Sequence, residues 1–287
     1  MIPSQDVSSK PSADLFIEIR NRLLAPPYKD VLKIKEFIAS LDGQSSGLIV
    51  NIEGVDLLIK SVIDVHLISN IYIQKVYDYL FTEPTIVVDI GANVGYSAIW
   101  FAKNDFVKKV YAFEPVKPTY DQALESVQLN PSFSNKVDFR NIGVSDRNQT
   151  SSILYFKDHH TISSVLFTDP RKITTSGKPP SSVTIDLVNV KTIFDEIITY
   201  QDQQNCRMVM KIDCEGSEYA IFDKFDTKIW NAIDVILMEV HGEHYRDLLK
   251  KLAYHGFEVF SINHQKHQMF GHLCDVYAIK SYKNKQL

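Results

Sequence analysis

The sequence predicts an α/β protein built on a doubly wound, mostly parallel seven-stranded sheet, preceded by an N-terminal α+β extension. Two observations carry this. The first is the stretch Thr85–Tyr96, in which an apolar, β-branched run closes on Asp89 and Ile90 and breaks into Gly91-Ala92-Asn93-Val94-Gly95. A helical pattern (Ala98, Ile99, Phe101, Ala102) follows at once, and strand, glycine turn and helix together form a nucleotide-type site at the carboxyl end of the first strand of such sheets. The second is the alternation of strand and helix patterns from Thr85 onward, the mark of a parallel sheet covered on both faces.

Taken in order, residues 1–12 are polar and are expected to be disordered. Amphipathic helices are expected over 13–24 and 28–41, split by Pro26-Pro27, then two strands around Glu53-Gly54 within 47–63 and a helix near 71–81. These make an extension over residues 1–84; residues 85–287 form the main domain. There the expected strands are 85–90, 109–113, 136–142, 187–191, 208–213, 233–240, 257–262 and 273–280. The expected helices are 117–129, 192–199 and 243–254. Residues 157–182 read as a long polar loop, of a length that is usually functional or disordered.

Composition narrows the function. With 287 residues, 45% of them apolar, the chain is long enough for a full core. A net charge of −4 and the lack of a basic block exclude an electrostatic grip on nucleic acid. No apolar stretch approaches a membrane span of about 20 residues, and Met1–Asp6 lacks a signal-peptide layout. Cys206, Cys214 and Cys274 are too scattered for a disulfide framework or a zinc knuckle, so a reducing, cytoplasmic setting is expected. The Asn148-Gln149-Thr150 sequon carries no weight there.

The glycine spacing selects the ligand. It reads D-x-G-x-x-x-G and lacks the third glycine of the dinucleotide fingerprint, which a pyrophosphate needs for close approach. S-adenosylmethionine, with an amino acid at one end, an adenosine at the other and no phosphate, does not need it. Glu114, at the end of the next strand, is placed to accept hydrogen bonds from both ribose hydroxyls, although a dehydrogenase would use the same acid. Glu239 and His241 lie two apart at a strand's carboxyl end and point to one side. A histidine beside a carboxylate suits removal of an alcohol's proton. Glu215 and Glu218 flank Gly216-Ser217 at a helix start, where acids favour the helix dipole or face the crevice. A divalent ion on Asp213, Glu239 and His241 is an alternative, but the expectation is no metal. His241 and His244 are separated by the strand end and are not expected to share zinc. His159 and His160 open the long loop, while His264, His267 and His272 read as surface residues.

Five motifs in order complete a resemblance: Val87–Gly95, Ala112-Phe113-Glu114-Pro115, Asn141–Asp146, Lys211–Glu218 and Met238-Glu239-Val240-His241. Over roughly residues 50–262 the chain resembles the FkbM family of S-adenosylmethionine-dependent methyltransferases, which have the class I methyltransferase, Rossmann-like fold. The resemblance implies methylation of a hydroxyl on a sugar, glycolipid, polyketide or other small molecule. It also implies that Asp89, Gly91, Ala92, Asn93, Gly95 and Tyr96 line the methionine end of the cofactor and that Glu114 with Pro115 holds the ribose. Asn141, Ile142 and Gly143 would lie along the adenine, with Ile142 equally readable as core. Asp213 would hold the cofactor's ammonium or orient the acceptor, and His241, Glu239 and Asp213 are the expected catalytic residues. Asp213-Cys214-Glu215-Gly216 stands where many nucleic-acid amino-methylating enzymes carry Asn/Asp-Pro-Pro-aromatic, which argues against a base as acceptor. The rival readings are a nicotinamide-dependent oxidoreductase and a non-catalytic cofactor-binding protein.

Overall fold

A computed structural model describes residues 47–156, 180–267 and 271–281. The expected helices over 13–24 and 28–41 lie outside the described residues, as do most of the long loop and His159 and His160. The described chain opens on a hairpin of β1 (Leu48–Ile52) and β2 (Val55–Ile59), turning at Glu53-Gly54 with both residues at positive φ. Ser61 then caps α1 (Val62–Ile68) in a capping box with Asp64, and the helix passes into a π-helical turn at Ser69–Ile73. The helix therefore begins well before the expected 71–81, because the Ser61-x-x-Asp64 box starts it inside what alternation alone reads as strand.

The main domain follows as β3 (Thr85–Ile90), α2 (Tyr96–Ala102), β4 (Val107–Phe113), α3 (Lys117–Gln128), β5 (Val137–Arg140), β6 (Gly143–Ser145), β7 (Gln149–Tyr155) and β8 (Ser181–Asn189). It continues through α4 (Val190–Gln204), β9 (Arg207–Ile212), α5 (Glu218–Phe222), α6 (Thr227–Ala232), β10 (Val235–His241), α7 (Tyr245–Tyr254), β11 (Phe257–His267) and β12 (Gly271–Lys280). Seven strands form one sheet in the order β11-β12-β10-β9-β3-β4-β5. All pairs from β10 to β5 are parallel, and β12 alone runs against its neighbours. The doubly wound, mostly parallel sheet is as expected. The expected strand 136–142 is the shorter β5, which stops at Arg140 because the chain leaves the main sheet there, and β6 starts beyond it at Gly143. With β7 and β8, β6 builds a separate three-stranded sheet.

Alternation along the central strands sorts their side chains between two cores. Ile86, Val88 and Ile90 of β3, Met208, Met210 and Ile212 of β9, and Met238 and Val240 of β10 pack with α4, α5 and α6. Val87, Val209, Val235 and Leu237 face the opposite way, into a cluster shared with the β1–β2 hairpin, α1 and α2. Odd-numbered residues at the carboxyl ends of these strands, among them Asp89, Lys211, Glu239 and His241, therefore lie on the face that the N-terminal segment covers. Among the described residues no helix is long and apolar enough to cross a membrane.

Polar clasps hold that segment in place. Buried Asn130 accepts from Asp56 N at 2.9 Å and donates to Asp56 O at 2.8 Å and Ser126 O at 3.0 Å. Tyr277 Oη donates to Val76 O at 2.7 Å, and Tyr96 Oη donates to Leu58 O. Replacing Asn130 by Ala removes three hydrogen bonds at a half-buried junction, so Asn130→Ala is expected to cost about 1–3 kcal/mol of unfolding free energy, measured by urea titration.

Candidate active site

In the centre of the sheet Asp89 and Lys211 face each other in register. Both are buried, with Lys211 Nζ 3.1 Å from Asp89 Oδ1. Ser97 Oγ donates to the other Asp89 oxygen at 2.6 Å, and Lys211 Nζ donates to Gly91 O at 2.6 Å. Burial works against the lysine's charge, but Asp89 and Asp213 outweigh it and hold its pKa above the ordinary lysine value. One ammonium thus fixes the carbonyl that begins the glycine turn. Gly91 is required there: at φ +77° a Cβ would sit 1.9 Å from Asp213 O. The turn continues through Asn93 at φ +51°, and Gly95 at φ +84° caps α2.

Glu114, at the end of β4, is clamped to that turn. One carboxylate oxygen accepts from Asn93 N at 3.2 Å and the other from Val116 N at 2.8 Å. Asn141 Nδ2 donates to Glu114 O and Pro115 O, both at 2.9 Å, so its amide staples the β4 end.

A crevice of about 840 Å³ opens at the carboxyl ends of β3, β9 and β10, the size of a small-molecule site. Of the expected residues, Gly91, Ala92, Asn93, Tyr96, Glu114 and Pro115 line it on one side. Gly143, Asp213, Glu239 and His241 line it elsewhere. Asp89, Gly95, Asn141 and Ile142 stand behind the wall: Asp89 is consumed by Lys211 and Ser97, Gly95 packs on Ala123, and Ile142 joins the core. The N-terminal segment supplies the opposite wall through His66, Asn70, Gln74 and Tyr77.

Four carboxylates surround His241. Glu218 Oε1 lies 3.0 Å from Nδ1, while Glu239 Oε1, Glu215 Oε2 and Asp213 Oδ1 lie 3.1, 3.6 and 4.0 Å from Nε2. Burial would lower the histidine's pKa, but the hydrogen bonds to Glu218 and Glu239 and the field of Glu218 and Glu215 overcome it. The value is pushed up to about 12. The ring is therefore imidazolium at neutral pH, a donor on both nitrogens. Burial also pushes Glu239 above the ordinary carboxylate value, and Glu215 well above it, with His241 opposing in each case. The raised value favours the ring as a donor to these carboxylates. Asp213, Glu239 and His241 each place a ligand atom within 4.8 Å of the others.

Three residues carry more of the site than the sequence suggested. Glu218, at the first position of α5 and fully buried, accepts from Cys214 N at 3.1 Å and lies against His241 Nδ1 at 3.0 Å, behind the crevice wall. Tyr77 Oη donates to Asp213 Oδ2 at 3.0 Å across the crevice, from a segment whose sequence gave no signal. Lys211 had one: a lysine inside the apolar strand Met208–Ile212 needs a buried anion opposite.

The Methyltransferase FkbM domain profile matches residues 89–259, more than half of the chain and the whole span from the Asp89 turn past His241. The chain belongs to the FkbM methyltransferase family. It is 25% identical over 199 residues to Methyltransferase sdnD of Sordaria araneosa, covering 60% of this chain and 76% of that protein. It is 22% identical over 228 residues to AMB antimetabolite synthetase AmbE of Pseudomonas aeruginosa, covering 67% of this chain but 10% of that much longer protein. Among solved structures, an FkbM methyltransferase from Methylobacillus flagellatus matches 73% of this chain and 47% of its own, at 16% identity and a TM-score of 0.46. This FkbM protein is a methyltransferase, and its sheet is of the class I kind. The nicotinamide oxidoreductase reading is set aside.

Two outcomes test this electrostatic frame. Lys211→Met strands Asp89 in the core and is expected to cost about 3 kcal/mol or more in a urea titration. Folding raises the pKa of His241, so its contribution to stability is fully present below the ordinary histidine value and is lost as pH rises towards about 12. The margin of wild type over His241→Gln is therefore expected to be widest near about pH 6 and to narrow through about pH 8 and 10. A margin that widens with pH would exclude the imidazolium.

Proposed function

We propose that this FkbM methyltransferase transfers a methyl group from S-adenosylmethionine to a hydroxyl of a small molecule, of the sugar, glycolipid or polyketide kind. The observation that carries the reading is the pairing of two sites in one crevice. The Asp89–Gly95 turn with Glu114 makes a nucleoside cradle without a pyrophosphate fingerprint, and the carboxylate-ringed His241 stands beside it. The residues fit the donor. Glu114 is held rigid by Asn93 N and Val116 N and keeps lone pairs for ribose hydroxyls. Asn93 Oδ1 is buried in the turn without a hydrogen-bond partner among the described residues, an acceptor that a bound amine or hydroxyl would satisfy. Asp213, steadied by Tyr77, offers a carboxylate to an ammonium or to the acceptor.

When bound, S-adenosylmethionine supplies an already electrophilic methyl group, so the protein's tasks are alignment and proton removal. Glu239 suits the second. It lines the crevice, its pKa is raised, and of the two raised carboxylates beside His241 its side chain is the more accessible, at about one-third exposed. With the donor bound, the sulfur–methyl bond would break as the oxygen–methyl bond forms and S-adenosylhomocysteine would leave; Glu239 would take the hydroxyl proton, with imidazolium His241 holding that carboxylate in place at 3.1 Å. Crowded acidic groups in the crevice also disfavour a polyanionic acceptor, in line with the chain's net charge of −4. The N-terminal segment forms the acceptor wall.

Calorimetric titration with S-adenosylhomocysteine is expected to show binding that Glu114→Ala weakens by about tenfold or more. Glu239→Gln is expected to bind that ligand normally while lowering methyl transfer by about 10² or more. Transfer is read as label incorporated from methyl-labelled donor into fractionated cell extract. Label in an RNA or protein fraction would overturn the acceptor class, and no binding of S-adenosylhomocysteine would overturn the donor.

A further inference from the structure

The crevice rim is completed by the β11–β12 hairpin, which contributes Asn263, His264, Gln265, Leu273, Cys274 and Asp275. Its pairing slips between two fixed points: Ile262 opposes Asp275, and Gln265 opposes Leu273. Asn263 and His264 therefore share the place opposite Cys274, with Asn263 at φ +55°. Such a bulge re-aims a side chain, and here it brings His264 Nδ1 to 3.0 Å from His272 Nε2. His272 and Cys274 are two apart on β12 and share a face. One ligand atom from each of His264, His272 and Cys274 lies within 4.8 Å of the others.

We propose that these three side chains form a binding site for a zinc-type transition-metal ion. Two imidazoles and a thiol are borderline-to-soft donors, the set that selects zinc or cobalt over magnesium or calcium. Three protein ligands leave a fourth position open, and His264 is exposed, so that position faces solvent at the rim. The outer shell is built as metal-bound histidines require. His264 Nε2 lies 3.0 Å from Ser261 Oγ, which fixes the ring with Nδ1 inward. The Tyr245 ring stacks on His272 with centroids 4.0 Å apart and planes at 12°. Cys274, about 1% exposed, anchors the cluster to the sheet. A bound ion staples the bulged hairpin against β12 and so sets the shape of the crevice mouth. The site is separate from the carboxylates around His241, and it stands whether or not the proposed acceptor is correct.

The test uses the full chain without a histidine tag, stripped of metal and titrated with Co²⁺. One equivalent is expected to bind and to give a near-ultraviolet thiolate-to-cobalt charge-transfer band that Zn²⁺ abolishes. Cys274→Ser is expected to remove the band. His264→Gln, at an exposed position that leaves folding intact, is expected to weaken binding by at least about tenfold, and Ser261→Ala to weaken it by about 10-fold. Cobalt binding without the thiolate band, or binding unchanged in both Cys274→Ser and His264→Gln, places the ion elsewhere and overturns the proposal. Absence of any binding overturns it too.

Discussion

The Asp89–Lys211 ion pair is the constraint on which the site depends. A lysine in the middle of a parallel sheet is costly unless an anion meets it, and Asp89 meets it in register from the neighbouring strand. The same ammonium reaches Gly91 O, so the pair fixes the first carbonyl of the glycine turn. Gly91 in turn lies so close to Asp213 O that the β3 and β9 ends cannot move independently. Lys211 also lies 5.4 Å from the centre of the Tyr77 ring, whose hydroxyl is spent on Asp213. The glycine turn and the β9 end of the crevice are thus two sides of one buried charge.

A second consequence follows from strand parity. Because side chains alternate, one face of β3, β9 and β10 is wholly apolar and packs against α4, α5 and α6, while the other changes from apolar to charged towards the carboxyl ends. The β1–β2 hairpin and α1 cover that second face. Removal of water from the charged end therefore depends on a segment that belongs to none of the five sequence motifs. Its clasps, Asn130 on Asp56 and Tyr277 on Val76, join it to both flanks of the sheet.

The fold was legible where local pattern and tertiary role agree. Every residue of Thr85–Ile90 is buried, so β3 carries the apolar run Ile86-Val87-Val88 with no alternation, and its one charge, Asp89, meets Lys211. The glycine turn was legible because a positive φ and a close approach leave little choice of residue. Other features were not, for physical reasons. β7 (Gln149–Tyr155) opens on four consecutive polar residues and lies in a small sheet, so no alternation marks it as a strand. The start of α1 hides in an alternating run that only the capping box interrupts. Asn141 sits beside motif residues, yet its amide is consumed by Glu114 O and Pro115 O, a use that spacing does not reveal. His264 is exposed and His272 half-exposed, as surface residues are, but their meeting depends on one bulge, which shifts register by a residue and has no sequence signature.

Charge around His241 decides what chemistry the crevice can do. An isolated histidine beside a glutamate is the usual arrangement for a base, and sequence shows only that pair. The fold adds Glu218 beneath the ring and Glu215 beside it, the latter in a left-handed conformation at φ +55° that a non-glycine residue holds only under constraint. Each added carboxylate stabilises the imidazolium, so the ring holds its proton and has no lone pair for another. Burial and mutual repulsion also raise the affinity of Glu215 and Glu239 for a proton. With the ring already occupied, Glu239 at the crevice wall is the acceptor that the proposed proton removal calls on. The donor's positive charge favours the same arrangement, because a crevice rich in carboxylates attracts a sulfonium and an imidazolium alone would repel it. Surplus negative charge around one buried cation thus suits both the donor binding and the proton removal proposed for this crevice.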